Sequence, residues 1–127
     1  MKDLVITNNN NLYLVPQINF NATTGHCEIV GESYLETTKE FYGDIMDWLR
    51  NYMYEVRGSL YIEIKLNYFN TSSSRCLLEM FRLLKGYQLQ GNQVEIVWYV
   101  SIEEDFMVEE VEDFITNSGL MIKQILY

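Results

Sequence analysis

The chain has 127 residues, of which 48% are hydrophobic and 21% are charged. This length and balance indicate one globular domain spanning residues 1–127, and they exclude a chain too polar to fold. Eighteen acidic against nine basic side chains give a net charge of −9. Because that charge repels phosphate backbones and anionic lipids, we expect neither nucleic acid nor membrane as a partner. No apolar run approaches the ~20 residues of a membrane helix, and we expect a cytoplasmic protein.

The side chains that usually carry metal or acid–base chemistry are scarce. Cys27 and Cys76 lie far apart in the sequence, and we expect both to be reduced, buried thiols. The single histidine, His26, adjoins Cys27, but neighbours on an extended chain point to opposite faces. The acidic residues from 103 to 113 are most simply a solvated helix face. The sequence therefore disfavours an enzyme and predicts no metal site and no cofactor.

The first predicted element is an N-terminal hairpin. Residues 12–20 form an extended run, which Pro16 restricts to a sheet edge. Asn21 to Gly25 has the composition of a turn, and Cys27 to Val30 returns as the second strand.

Next comes a helix that Thr37 and Thr38 can cap and Gly58 ends. Its apolar residues recur at steps of three and four and are Phe41, Ile45, Trp48, Leu49, Tyr52 and Val56. Residues 59–66 then alternate apolar and polar side chains, the pattern of a strand with one buried face.

A second helix follows the run Asn70 to Ser74, and residues 94–100 predict an interior strand covered on both faces. Ser101 can cap a third helix with an inward stripe of Phe106, Val111, Phe114 and Ile115. Residues 121–126 supply a last strand. Strands separated by single helices favour right-handed crossovers. We therefore predict an α/β fold with a mixed, mostly parallel sheet, the hairpin at one edge and about three main helices packed on it.

The segment that favours a function is Asn70 to Ser74, one asparagine and four hydroxyls between a strand and a helix. Such a run can simply cap the helix. It also lies where α/β sheets place their sites and where a helix offers free amides to an anion. A nucleotide is disfavoured because the run has neither glycine nor lysine. A covalent phosphate on one hydroxyl needs no glycine-rich loop, and it would change a docking surface by adding charge.

The chain resembles the SiaC family of bacterial regulatory phosphoproteins over nearly its whole length. The matching residues, in order, are Thr24-Gly25, Ile29, Gly31-Glu32-Ser33-Tyr34, Glu36, Phe41-Tyr42, Trp48-Leu49, Tyr68-Phe69-Asn70-Thr71-Ser72-Ser73-Ser74 and Trp98-Tyr99. The resemblance implies a STAS-like fold and regulation without catalysis. It implies that a protein kinase phosphorylates Thr71, that a PP2C-type phosphatase removes the phosphate, and that the unmodified protein activates a diguanylate cyclase. The implied process is biofilm regulation through cyclic di-GMP.

Around this site we expect partner contacts from Tyr34 and Glu36 and from the remaining residues of the run, which are Asn70, Ser72, Ser73 and Ser74. One departure is Leu35, which stands where family members usually have a proline that fixes φ before the first helix.

Two alternatives remain open. The chain could be a constitutive interaction module in which the junction is only a cap, so that Thr71→Ala costs stability and Thr71→Asp binds normally. An enzyme would require a deep pocket lined by Tyr34, Glu36 and the hydroxyls of residues 72–74.

Overall fold

The sheet has six strands in the order of the chain, β1-β2-β3-β4-β5-β6. It is seen in a computed structural model that describes residues 1–7, 16–33 and 38–127. The strands are β1 (Leu4–Ile6), β2 (Gln17–Phe20), β3 (His26–Ser33), β4 (Leu60–Phe69), β5 (Val94–Val100) and β6 (Ile122–Leu126). The first three strands pair antiparallel, and β3 to β6 pair parallel. The predicted mixed, mostly parallel sheet is therefore confirmed.

Three main helices pack on this sheet. They are α1 (Thr38–Glu55), α2 (Thr71–Leu89) and α3 (Phe106–Ser118), and a short 3₁₀ turn at Ile102–Glu104 precedes α3. Each helix connects two neighbouring parallel strands, and right-handed crossovers in one direction put all three helices on the same face. The helices accordingly contact one another in the order α1, α2, α3. In the described ranges the other face of the sheet carries no helix.

The N-terminal hairpin turns at Gly25, whose φ of 77° is the left-handed conformation that glycine adopts without strain. A Cβ at this position would collide with the carbonyl oxygen of Ser59. The side chain of Asn21 accepts hydrogen bonds from the amides of Thr23 and Thr24 and so closes the turn. The predicted hairpin is confirmed for β2 and β3, and the part of its first run at residues 12–15 lies outside the described residues.

The core between sheet and helices is built from alternating strand residues and aromatic rings. In β4 the residues Leu60, Ile62, Ile64 and Leu66 are all buried. Trp98 of β5 stacks on Phe114 of α3, with ring centroids 5.8 Å apart.

Three details of the predicted elements are wrong. Val56, expected on the apolar stripe of the first helix, is 39% exposed and follows the end of α1. β5 is interior to the sheet, but it has helices on one face, so that its Glu95 is exposed and Tyr99 is half-buried. Phe106 is 53% exposed, and the neighbouring Met107 takes the inward position. Strand β1 was not predicted. Among the described residues, no helix combines the length and the apolar character needed to cross a bilayer.

Candidate functional site

The junction between β4 and α2 is held by Asn70. This residue is extended, with φ −82° and ψ 175°, and is the N-cap of α2. Its side-chain oxygen accepts a hydrogen bond from the amide of Ser73 at 2.9 Å, and its carbonyl accepts one from the amide of Ser74 at 2.9 Å. Its own amide donates to the carbonyl of Ser33, the last residue of β3, at 3.0 Å. The ends of β3 and β4 and the start of α2 are therefore fixed together.

Thr71 is the first residue of α2, and its side chain is exposed. Within residues 1–7, 16–33 and 38–127 we find no acceptor for the backbone amides of Thr71 and Ser72. Arg75, also exposed, follows Thr71 by four residues, the spacing that puts two side chains on the same helix face. The Thr71 hydroxyl is thus accessible, and it stands at a helix end that attracts negative charge.

Ser73 belongs to a buried network of three hydroxyls. Its Oγ lies 2.7 Å from Ser33 Oγ, and it also donates to the Ser33 carbonyl at 3.3 Å. The hydroxyl of Tyr42, on α1, donates to Ser33 Oγ at 3.0 Å. Burial raises the pKa of Tyr42 to about 12, although the hydrogen bond with Ser33 acts in the opposite direction. This network links β3, α1 and α2 directly beneath the start of α2.

The other predicted site residues fall into three groups. Ser73 is fully buried, so the prediction that it contacts a partner is wrong, because its hydroxyl is used inside the protein. Ser72 is exposed, while Asn70 and Ser74 are half-buried. Tyr34 and Glu36, like Leu35, lie outside the described residues. The N-cap is Asn70, so a capping role for Thr71 is not supported.

A groove of about 810 Å³ runs beside the junction between α1 and α2. Ser72 is the one hydroxyl of residues 72–74 that lines it, so the described residues do not form the pocket expected of an enzyme. Three cations, Lys39, Arg50 and Arg75, and two acids, Glu40 and Glu79, line the groove. This surface was not predicted, although Lys39, Gly43, Met46 and Arg50 recur on α1 at helical spacing.

The open face of the sheet carries the one group of side chains in the described ranges that could hold a metal ion. The Nε2 atom of His26 lies 3.8 Å from Glu28 Oε1 and 3.5 Å from Glu63 Oε1. If the imidazole is protonated, the same geometry makes ion pairs. Sequence spacing does not reveal the group because Glu63 comes from the neighbouring strand. Cys27 is not part of it, and burial raises the pKa of its thiol.

The comparison with known protein families decides the identity of the fold and its class of function. A family model described as SiaC family regulatory phosphoprotein matches residues 9–126. The chain belongs to the SiaC family. The expected resemblance is therefore confirmed over most of the chain, and the family is one of regulatory proteins.

Relatives of known sequence or structure agree with this assignment. An uncharacterized protein of Pseudomonas aeruginosa (strain UCBPP-PA14) is 26% identical over 99 residues, which are 78% of this chain and 79% of the relative. The solved structure of SiaC of Pseudomonas aeruginosa is 24% identical, with a TM-score of 0.89 and full coverage of both chains.

A second structure shows the diguanylate cyclase SiaD of Pseudomonas aeruginosa in complex with its activator SiaC. The matched chain is 23% identical with a TM-score of 0.89, covering 98% of this chain and 100% of the other. At these identities the two structures establish that this chain has the fold of SiaC.

Proposed function

We propose that this chain is a phosphorylation switch with Thr71 as the modified residue. A protein kinase phosphorylates Thr71, a PP2C-type phosphatase removes the phosphate, and the unmodified form binds and activates a diguanylate cyclase in the cytoplasm. The switch is a single domain spanning residues 1–127, and it acts on biofilm formation through cyclic di-GMP. The observation that carries this proposal is an exposed threonine on the first turn of α2 in a family of regulatory phosphoproteins.

The modified protein keeps its fold because the phosphate is attached where the helix favours it. A phosphothreonine carries about −1.5 to −2 charges at neutral pH. The helix dipole and the amides of Thr71 and Ser72, for which the described residues offer no acceptor, offset part of that charge, typically by about 0.3 to 2 kcal/mol. The N-cap hydrogen bond is made by Asn70, so modification of Thr71 leaves the start of α2 capped.

The effect on a partner follows from charge and desolvation. Thr71 adjoins Ser72, which lines the groove between α1 and α2 together with Arg75. A dianion here turns the rim of the groove negative and competes for the Arg75 guanidinium. A partner surface that fits the unmodified protein would then lose its contact with Arg75 and would have to desolvate the phosphate, so that the complex dissociates.

The first test of this proposal is chemical. The purified chain is incubated with the kinase and ATP, and its intact mass is measured. We expect one phosphate on the wild type, none on Thr71→Ala, and one on Ser72→Ala, which removes the neighbouring exposed hydroxyl as a matched control. A phosphate that persists on Thr71→Ala contradicts the site.

Gating is tested with a matched pair of variants of similar size. Thr71→Glu carries a charge at the switch position and Thr71→Gln does not. We expect Thr71→Glu to lose binding to the cyclase and its activation, while Thr71→Gln keeps both. Equal activation by the two variants supports the alternative, a constitutive interaction module. The exposed position of Thr71 favours the switch.

A further inference from the structure

A second depression, of about 680 Å³, lies between α1 and α2 toward their C-terminal ends. We name it the arginine cleft, defined by Arg50, Arg57, Arg82, Tyr54 and Gly86. Gly86 is fifteen residues after Thr71 on α2, which at 1.5 Å per residue puts it about 22 Å from the switch residue. The cleft adjoins the groove beside Thr71, with which it shares Arg50, but Arg57, Arg82 and Gly86 belong to the cleft alone.

The charge of this cleft is opposite to that of the whole protein. The chain has two acidic residues for every basic one, yet among the described residues the cleft is lined by three arginines and by no acidic residue. Arg50 is 3.4 Å from Asp47, one turn away on α1. Arg57 and Arg82 make no ion pair with any residue in the described ranges. Two guanidinium groups are thus available to an anionic partner.

The uncharged residues of the cleft are those that protein interfaces favour. Tyr54 is 78% exposed, and Met53 and Leu83 line the cleft as half-buried apolar side chains. Tyrosine, arginine and methionine are enriched at interfaces, while lysine and the acidic residues are depleted there. A compact inorganic anion would use the guanidinium groups but would leave this apolar surface uncovered.

Gly86 leaves open space on the surface of α2 beside the cleft. It stands inside α2, where glycine costs about 0.5 to 1 kcal/mol relative to alanine. A Cβ built at this position meets no atom of the described residues within 4 Å, so packing against them does not require glycine. Any side chain here would reduce the cleft, and glycine lets another chain come close to the helix.

We propose that the arginine cleft docks an acidic segment of a protein partner, and that this docking is independent of the state of Thr71. The carboxylates of the segment pair with Arg57 and Arg82, and its apolar side chains cover Tyr54 and Leu83. Charge complementarity with a cationic cleft on an acidic protein selects this partner and rejects basic or neutral segments.

The test uses a fluorescent peptide of about 18 residues, five helical turns, with Glu on one side and Leu at steps of three and four. A second peptide has Gln at every Glu position. Binding to the full chain is measured by fluorescence anisotropy at two salt concentrations. We expect the Glu peptide to bind at least about tenfold more tightly than the Gln peptide, and this difference to shrink at high salt.

Variants assign the binding to the cleft. We expect Arg57→Gln, Arg82→Gln and Gly86→Glu each to weaken binding of the Glu peptide about tenfold or more. Lys85→Gln removes a cation from the opposite side of α2, where the Lys85 side chain lies near Gly119, and it should bind as the wild type does. Gly86→Ala, measured by thermal unfolding, controls for the fold and should be at least as stable as the wild type.

Three outcomes overturn the proposal. The first is equal affinity for the Glu and Gln peptides, and the second is an equal loss of affinity for the Glu peptide in Lys85→Gln and in the arginine variants. The third is complete displacement of the Glu peptide by equimolar pyrophosphate. The last result would identify a small-anion site. Thr71→Glu should bind the Glu peptide as the wild type does. Failure of this docking therefore leaves the proposed switch untouched, and failure of the switch leaves the docking measurable.

Discussion

Thr71 and Arg75 are separated by one helical turn, and both side chains are exposed. When Thr71 carries a phosphate, Arg75 is the described cation best placed to bind it, with the acid N-terminal to the base as helices prefer. The pair connects modification with the groove, because Arg75 also lines that surface.

This pairing predicts the second pKa of the phosphate, ordinarily about 6. The Arg75 guanidinium and the helix N-terminus favour the dianion, so we expect the second pKa of phosphorylated Thr71 to lie below that value. Arg75→Gln should raise it by a few tenths of a unit. The measurement is a ³¹P NMR titration of the phosphorylated protein. Arg82→Gln, eleven residues from Thr71, is the control, and an equal shift in both variants contradicts a specific pair.

A second residue-scale prediction concerns Tyr42 at alkaline pH. The pKa of Tyr42 is raised by burial to about 12 in the folded protein, against about 10 in the unfolded chain. Its contribution to the free energy of unfolding is therefore complete below pH 10 and is lost as the pH rises toward 12, with a slope of about 1.4 kcal/mol per pH unit. Tyr42→Phe should be less stable at pH 8 and should lose less stability between pH 10 and 12.

Urea unfolding of both proteins at a series of pH values checks this prediction. Tyr54→Phe is the control, since Tyr54 is an exposed tyrosine on the same helix. If the free energy of unfolding fell equally steeply between pH 10 and 12 in the wild type and in Tyr42→Phe, ionisation of Tyr42 would not destabilise the fold.

At the level of single residues, the sequence identified the candidate threonine but not the role of its neighbour Ser73. The hydroxyl run and its place before a helix are local features, and local features are visible in a sequence. The burial of Ser73 depends on Ser33, forty residues earlier, and on Tyr42. Which hydroxyl of a row faces inward is decided by that tertiary contact.

For the elements, the start of α2 is the place where three segments meet, and Asn70 is its cap. We expect Asn70→Ala to lower the free energy of unfolding by about 0.5 to 2 kcal/mol, because the amide of Ser73 loses its acceptor. Thr71→Ala should cost clearly less. Asn70→Asp, which keeps the acceptor oxygen, should stay close to the wild type. Thermal or urea unfolding measures all three variants. Equal losses of stability in Asn70→Ala and Thr71→Ala would contradict the assignment of Asn70 as the stabilising N-cap.

The success of the element predictions depended on the length and regularity of each pattern. The alternation in β4 is regular over four buried residues, and that strand was predicted correctly. β1 has three residues, too few for a period to emerge. In α3 the buried residues Met107, Val111 and Phe114 follow one another at steps of four and three. Phe106 is five residues before Val111, so its predicted place on the inward stripe did not fit helical spacing.

On the scale of the whole molecule, the strand order creates two surfaces between helices that no local sequence pattern predicts. A strand order that follows the chain puts α1 and α2 side by side on one face of the sheet. Both the groove at Thr71 and the arginine cleft lie between these two helices, and the residues that line each come from both. The net charge of −9 follows from the composition. The grouping of arginines between α1 and α2 depends on how the two helices pack, so it could not be predicted from the sequence.

If Thr71 and the arginine cleft act as proposed, the length of α2 also has a kinetic consequence. A partner other than the cyclase that docks at the Gly86 end would stay within reach of the Thr71 end while a phosphate is present, held by a local concentration far above that of free protein in the cell. Re-engagement after dephosphorylation then needs no new encounter by diffusion. The time for the signal to recover would be set by the phosphatase and not by the abundance of either protein.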